Sequence, residues 1–171
     1  MTVSGKTLTH ILSAYAGRGV LLDTNVLLVY LVGLANPGMI GVLKRTEAYS
    51  LDDHRMLRSL VGRFRRLIVT PHVLAELTNL APSVEDRRVR YFFAHVVRVV
   101  GASREVHTEK GVLLNNPALP RFGFADLSVV EAARTIGCLV VTDDFKAAGL
   151  LRTSGCAVLN LNHLRGFSWG A

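Results

Sequence analysis

Residues 20–27, Val-Leu-Leu-Asp-Thr-Asn-Val-Leu, decide the fold of this chain. The first three are apolar at consecutive positions, which is typical of a strand buried on both faces of a parallel sheet. A helical pattern begins directly after Asp23 and continues to Leu34. A strand that passes at once into a helix predicts a β–α unit with the Asp23 carboxylate at the carboxyl edge of the sheet.

The same alternation of strand-like and helical segments continues along the chain. Further candidate strands are residues 67–69, 104–107, 138–141 and 157–161. Candidate helices are residues 8–15, 24–34, 51–66, 71–81, 83–100, 125–136 and 144–151, and the clearest loop is 115–123. This alternation predicts an α/β fold in which helices cover both faces of a mostly parallel sheet. We expect one domain over residues 1–171, with an extra N-terminal helix within 1–18 and an inserted helix at 51–66.

The composition is that of a folded protein. Hydrophobic residues make up 50% and charged residues 19% of the chain, which excludes an intrinsically disordered protein. Residues 1–7 lack the apolar core of a signal peptide, and the longest apolar stretch, Val26–Leu34, is too short to span a bilayer. Cys138 and Cys156 lie in apolar runs, which favours core thiols in a reducing compartment. We therefore expect a soluble, cytoplasmic protein that does not cross a membrane.

Acidic residues follow the predicted strands in order. Asp23 ends the first strand, Glu76 lies in the helix after the second, Asp126 opens a later helix, and Asp143 and Asp144 follow the run 138–142. Ligand sites of open parallel sheets form beyond the carboxyl ends of the strands, so these carboxylates are expected to converge. Each close pair of carboxylates costs about 4 kcal/mol at 4 Å with an effective dielectric near 20. A divalent cation relieves such repulsion, which points to metal-dependent chemistry.

Each acidic residue, taken alone, has a plainer interpretation. Asp is a favoured N-cap, so Asp23, Asp126 and the pair at 143–144 could simply cap the helices that follow them. Glu76 lies in the middle of a helix, where Glu is usually solvated. The ordered succession of all four acidic blocks favours a shared site over four separate caps.

The order of these blocks resembles the PIN-domain family of metal-dependent nucleases. The resemblance rests on three segments: LLDTNVLL at 21–28, TPHVLAELTNL at 70–80 and GFADLSVVEAARTIGCLVVTDD at 123–144. It extends from about Val20 to Leu161, and the last segment is the most specific. The resemblance implies a PIN-like three-layer α/β/α sandwich with a central, mostly parallel sheet.

The resemblance also implies the activity and its ligands. A PIN-like protein would be an endoribonuclease that hydrolyses RNA phosphodiester bonds with one or two Mg²⁺ or Mn²⁺ ions. Asp23 and Asp126 would hold the principal ion, and Glu76 and Asp144 would complete its coordination, partly through water. Asp143 occupies a variable position in the pattern, where it either assists the metal or faces solvent.

Three polar neighbours are expected to hydrogen-bond the ligands rather than the ion. They are Thr24, Asn25 and Thr142. Because toxins and RNA-processing enzymes of this family share the acidic residues, a protein antitoxin and a homodimer both remain possible partners.

The positive charge of the chain supplies the second half of the hypothesis. The net charge is +7 and the isoelectric point is near 10.0, so anionic partners are favoured, whether nucleic acid or an anionic membrane surface. Arg121 precedes Asp126 in the predicted loop and is the best-placed candidate to contact a scissile phosphate. Arg63, Arg65 and Arg66 are further candidates for an RNA-binding track, as are the arginines at 87, 88 and 90. Solvated basic helix faces remain the alternative for either run.

Two other functions compete with the nuclease. A phosphatase of the haloacid dehalogenase type also begins with a strand that ends in Asp, but that family has a second Asp where this chain has Asn25. A non-catalytic PIN-like module that binds RNA or a protein is the other alternative. Modules of that kind usually lose acidic residues that this chain retains.

Overall fold

The centre of the fold is a parallel sheet, described here from a computed structural model that covers residues 5–82, 87 and 91–165. Its five strands run in the order β3-β2-β1-β4-β5, and every pairing among them is parallel. Their bounds are β1 Val20–Leu22, β2 Leu67–Val69, β3 Arg104–Glu105, β4 Leu139–Thr142 and β5 Ala157–Asn160. Because all five are parallel, their carboxyl ends lie at one edge of the sheet, here called the carboxyl edge.

Helices flank this sheet. In the described residues they are α1 Gly5–Tyr15, α2 Thr24–Ala35, α3 Leu51–Val61, α4 Pro71–Leu80, α5 Phe92–Gly101, α6 Lys110–Leu114, α7 Leu119–Ile136, α8 Phe145–Thr153 and α9 Leu161–Leu164, with a 3₁₀ turn at Pro37–Met39. The predicted α/β class with a parallel central sheet is confirmed. None of the described helices combines the length and apolar character needed to cross a bilayer.

The core lies between the sheet and α2. All residues of β1, β2 and β4 are buried, as their uninterrupted apolar sequences require. Helix α2 is apolar around nearly its whole circumference and is buried along most of its length, which is the behaviour of a helix without a solvated face. The N-terminus of α2 is therefore held firmly at the carboxyl edge.

Local capping signals predicted two helix starts correctly. Ser50 and Asp53 form a reciprocal capping box at the start of α3. Thr70 caps α4, and Pro71 occupies its first position, where a missing N–H costs nothing. Helix α3 is shorter than predicted, because it ends at Val61 rather than at Arg66.

The predicted loop at 115–123 is only partly a loop. Helical structure begins at Leu119, and Gly123 interrupts it with φ 75° and ψ 179°, a conformation that glycine adopts without a steric penalty. Helices α6 and α9 were not predicted, since each is too short to show a helical period. The predicted cap at 83–86 lies outside the described residues.

Candidate functional site

The junction between β1 and α2 carries Asp23. Leu22 pairs with Val141, so Asp23 and Thr142 emerge side by side at the carboxyl edge. Asp23 Oδ1 accepts the Val26 N–H at 2.9 Å and so caps α2. The Thr142 hydroxyl hydrogen-bonds the Asp23 carboxylate and accepts the Asp144 N–H at 3.0 Å. Thr142 therefore ties the ends of β1 and β4 together.

Glu76 is attached to this junction from α4. The buried Thr24 hydroxyl donates to Glu76 Oε2 at 2.6 Å, across 52 residues of sequence. Glu76 itself is exposed. The bond holds an otherwise solvated carboxylate toward the N-terminus of α2, next to Asp23.

The start of the regular part of α7 carries Asp126. The Thr70 and Ser128 hydroxyls lie 2.8 Å apart in the interior, and the Ser128 hydroxyl donates to the Ala125 carbonyl at 2.7 Å. These two bonds fasten the first turn of α7 to the end of β2. Gly123 lets the chain turn just before that point, so Asp126 is presented at the carboxyl edge.

The end of β4 carries the acidic pair. Asp144 caps α8 and accepts the Lys146 and Ala147 N–H groups. Asp143 Oδ2 accepts the Tyr49 hydroxyl proton, whereas Asp143 Oδ1 is buried and has no hydrogen-bond partner in the part of the chain that the structure describes. A buried carboxylate oxygen without a partner is one whose charge a bound cation would offset.

Electrostatic interactions connect the four acidic blocks. Burial raises the pKa of Asp23 to about 7, against its ordinary 3.8, and the Asp143 and Asp126 carboxylates add to the increase. Burial also raises the pKa of Asp126 to about 6, with further contributions from Asp144 and Glu76. Asp126 therefore lies within electrostatic reach of Asp23, Asp144 and Glu76. We call these four carboxylates, together with that of Asp143, the acidic cluster.

The acidic cluster is not a preformed metal cage. In the parts of the chain that the structure describes, no three His, Cys, Asp or Glu side chains are arranged to hold an ion. The donor chemistry still fits Mg²⁺ or Mn²⁺, because all donors are carboxylate oxygens and Asp143 Oδ1 lacks a partner. Mg²⁺ commonly binds one or two carboxylates and retains several waters, so it does not need a closed cage.

A small cavity of about 10 Å³ opens beside the cluster, room for about one water molecule. Its lining comes from the sheet, α7 and α8: Asp23, Asp126, Val129, Val130, Thr142, Ala147, Leu150 and Leu151.

The predicted basic residues divide between the two edges of the sheet. Arg121 is exposed near the start of α7, with its guanidinium 5.1 Å from the centre of the Phe122 ring. Arg65 and Arg66 instead immediately precede β2, where the Arg66 carbonyl accepts the Val20 N–H at 3.1 Å. Arg63 lies in the turn before them.

The structure places Arg63, Arg65 and Arg66 away from the acidic cluster, and their role in an RNA-binding track stays a prediction. These residues lie at the amino edge of the sheet, and a three-residue strand places them about 10 Å from the carboxyl edge. The charge pattern alone did not reveal which edge of the sheet these arginines occupy. Arg88 and Arg90 lie outside the described residues. Asn25 is exposed beside Thr24, with its role as a hydrogen-bonding neighbour untested.

Sequence reasoning missed a polar clamp behind Asp143, formed by Tyr49, Asp53 and Arg165. Arg165 pairs with both oxygens of Asp53, at 2.9 and 3.0 Å, and donates to the Ala48 carbonyl at 2.9 Å. Its guanidinium lies 5.6 Å from the centre of the Tyr49 ring. Burial raises the pKa of Tyr49, as does its bond to Asp143, so Tyr49 remains a proton donor to that carboxylate.

Comparison of the chain with protein-family models gives no match, and comparison with curated proteins gives none either. The assignment of a function therefore depends on the acidic cluster and its neighbours.

Proposed function

We propose that the protein is a metal-dependent endoribonuclease of the PIN type. The observation that carries this proposal is the acidic cluster, in which Asp23 and Asp126 line one small cavity with Thr142 and the Thr24 hydroxyl holds Glu76 close by. Half-buried carboxylates that repel one another, such as Asp23 and Asp126, destabilise a folded protein unless a cation offsets the charge. Their retention at a single edge of the sheet is therefore typical of a cation-binding site.

The order of the elements supports the PIN assignment. The acidic residues follow β1, lie within α4, open the regular part of α7 and follow β4, which is the order that the PIN resemblance implies. The sheet between them is five-stranded and wholly parallel. A fold alone supports many activities, so the assignment depends on the carboxylates and not on the sheet.

In this proposal, Asp23 and Asp126 hold the principal Mg²⁺ or Mn²⁺ ion. Glu76 and Asp144 contribute partly through water, and Asp143 Oδ1 is free to join them. When bound, the ion polarises the phosphate and lowers the pKa of a coordinated water. The chain itself orients the carboxylates: Thr142 holds Asp23, and Thr24 holds Glu76. Orientation before the substrate arrives reduces the entropic cost of reaching the transition state.

The charge of the chain favours a polyanionic substrate. A net charge of +7 attracts nucleic acid even though the reacting site is acidic. Arg121 lies near the start of the helix that bears Asp126 and is the proposed contact for a phosphate of the RNA.

Cleavage of a mixed pool of single-stranded and structured RNAs tests this proposal. We expect cutting with Mg²⁺ or Mn²⁺, none in EDTA, and none by Asp126→Asn. Asp52→Asn is the matched control, because Asp52 is exposed on α3 and forms an ion pair with Arg55 one turn further along the same helix. Intact RNA with every metal, or equal cutting by Asp126→Asn, would contradict the nuclease. Tight RNA binding without cutting would favour the non-catalytic module.

A further inference from the structure

Two exposed phenylalanines flank the acidic cluster. Phe124 precedes Asp126 by two residues and Phe145 directly follows Asp144. Phe124 is 44% exposed and Phe145 is 59% exposed, whereas Phe64 and Phe92 are packed in the core. An exposed aromatic ring beside a polar site gains nothing for the core and is available to a ligand.

A histidine packs against each of these rings. The rings of His72 and Phe124 are nearly parallel, at 12°, with their centres 6.0 Å apart. The rings of His163 and Phe145 are tilted by 55°, with their centres 5.5 Å apart. Both separations are in the range of favourable aromatic contacts. Each histidine comes from a different helix than its phenylalanine, so each pair joins two elements and restrains the exposed ring.

The two ring pairs lie on opposite sides of the cluster. His72 is in the first turn of α4, directly beyond the carboxyl end of β2. Phe145 is the first residue of α8, just beyond β4, and His163 lies in α9, just beyond β5. In the order β3-β2-β1-β4-β5, strand β1 with Asp23 lies between them. The ends of β2 and β5 are three strand spacings apart, about 14 Å.

We propose that these ring pairs are stacking platforms for unpaired nucleobases, one on each side of the phosphodiester that faces the acidic cluster. This inference rests on the proposed nuclease function and narrows its substrate to single-stranded nucleic acid. Bases within a duplex are already stacked on one another and cannot reach a protein ring, whereas unpaired bases stack on aromatic side chains with little sequence preference. Phe124 and Phe145 are thus substrate-binding residues, while His72 and His163 position them.

The test uses Phe→Leu and Phe→Trp variants at positions 124 and 145. Leucine retains an apolar side chain without an aromatic face, and tryptophan retains a face. Binding is measured by fluorescence anisotropy in EDTA, with a single-stranded RNA, a duplex of the same sequence, and an abasic strand of the same length. We expect each leucine variant to weaken single-stranded binding about tenfold and each tryptophan variant to match the original protein. Affinity for the abasic strand should not change.

Several outcomes would overturn the inference. Leucine variants that bind the single strand as the original protein does would exclude stacking. An equal loss on the abasic strand would assign the effect to the backbone or to the fold. Failure of the original protein to bind single-stranded RNA more tightly than the abasic strand would also exclude it.

The outcome for the platforms is separable from that for the nuclease. Binding that depends on the phenylalanine rings, without cleavage under any metal, would contradict the nuclease function and support the stacking platforms. Metal-dependent cleavage that is unchanged in both leucine variants would contradict the stacking platforms and support the nuclease function. Single-turnover cleavage of the same strand by the same variants supplies this second readout.

Discussion

An ionisable side chain lies at each end of helix α2, half-buried Asp23 at the N-terminus and buried His54 near the C-terminus, and the surroundings of the two differ. At the N-terminus, the Asp23 carboxylate is bonded to the Val26 N–H and the Thr142 hydroxyl. Near the C-terminus, His54 packs against Gly33 with 2% of its surface exposed, and neither ring nitrogen has a hydrogen-bond partner among the described residues. Asp23 and Gly33 are ten positions apart, about 15 Å along a helix.

Burial has the same physical effect on both groups, since it disfavours the charged form. It raises the pKa of Asp23 to about 7 and lowers the pKa of His54, with the Arg58 charge adding to the decrease. The difference lies in what could relieve the cost. A cation at the acidic cluster would stabilise the Asp23 carboxylate, whereas His54 is surrounded by packed side chains and has no such route. A bound cation would stabilise the side chain at the N-terminal end of α2, whereas close packing confines the side chain near its C-terminal end.

The largest expected effect comes from Asp23→Asn. Asparagine keeps the cap on α2 but removes the charge, so metal-dependent cleavage should fall at least about 100-fold. Stability should change in the opposite direction, because the variant removes a carboxylate whose pKa burial raises to about 7. We expect the free energy of unfolding at pH 8 without metal to rise by about 2 kcal/mol, measured by urea denaturation.

Asp52→Asn serves as the control for that pair of measurements. Its side chain is 85% exposed, so both cleavage and stability should stay at the values of the original protein. Cleavage retained by Asp23→Asn would remove the acidic cluster from the reaction. Lower stability of Asp23→Asn at pH 8 would show that its hydrogen bonds outweigh its burial.

The next largest effect is expected at the other end of α2, from Gly33→Ala. A Cβ atom there would lie 2.1 Å from His54 Nδ1, so the imidazole ring or the helix must move. Overpacking of this kind costs about 1–3 kcal/mol of unfolding free energy. Gly149→Ala in α8 is the matched control, because its Cβ would meet no atom within 4 Å and should stabilise by about 0.5–1 kcal/mol. Adding His54→Ala to Gly33→Ala should recover part of the loss, and no recovery would place the strain elsewhere.

The pH dependence of the free energy of unfolding should distinguish Asp23 from His54 while both side chains are still present. Asp23 has a folded pKa above its ordinary value, so its contribution is present below about pH 4 and is lost as the pH rises toward 7. His54 has a folded pKa below its ordinary 6.5, so its contribution is present above that pH and is lost as the pH falls.

Two variants identify which side chain causes each pH-dependent decrease in stability. In Asp23→Asn the alkaline decrease should shrink by an amount on the order of 1 kcal/mol between pH 5 and pH 8, and in His54→Leu the acidic decrease should shrink similarly. Addition of Mg²⁺ should raise the urea midpoint at pH 8 more than at pH 5. Equal increases at both values would mean that the ion does not act through the cluster carboxylates.

The sequence could predict whatever had a local cause. β1 and β4 were predictable because burial on both faces demands consecutive apolar residues, and Ser50 and Thr70 were predictable because caps act within three residues. The positions of Asp23 and Asp143 followed from the ends of β1 and β4, since parallel strands share a carboxyl edge. These features need no knowledge of distant partners.

The remaining features arise from contacts between distant segments. Tyr49 meets Asp143 across 94 residues and Arg165 meets Asp53 across 112, and no short-range pattern encodes either meeting. The position of Arg65 at the amino edge has a related cause, because a run of positive charge does not reveal which end of a strand it adjoins. The positions of Phe124 and Phe145 were visible, but their exposure depends on tertiary packing.

The smallest expected effect concerns the hydrogen bonds that distinguish the acidic end of α2 from the His54 end. The Tyr49→Phe variant keeps the ring beside Arg165 but removes the hydroxyl that donates to Asp143 Oδ2. Without that bond the Asp143 carboxylate is no longer held in one orientation, so the Mg²⁺ concentration for half-maximal cleavage should rise about threefold, the effect of losing one hydrogen bond. Loss of one hydrogen bond should lower the unfolding free energy by about 1 kcal/mol. Tyr15→Phe, in α1 near the amino edge, is the control. A metal requirement that shifts equally in both variants would show that Tyr49 supports the fold without orienting Asp143.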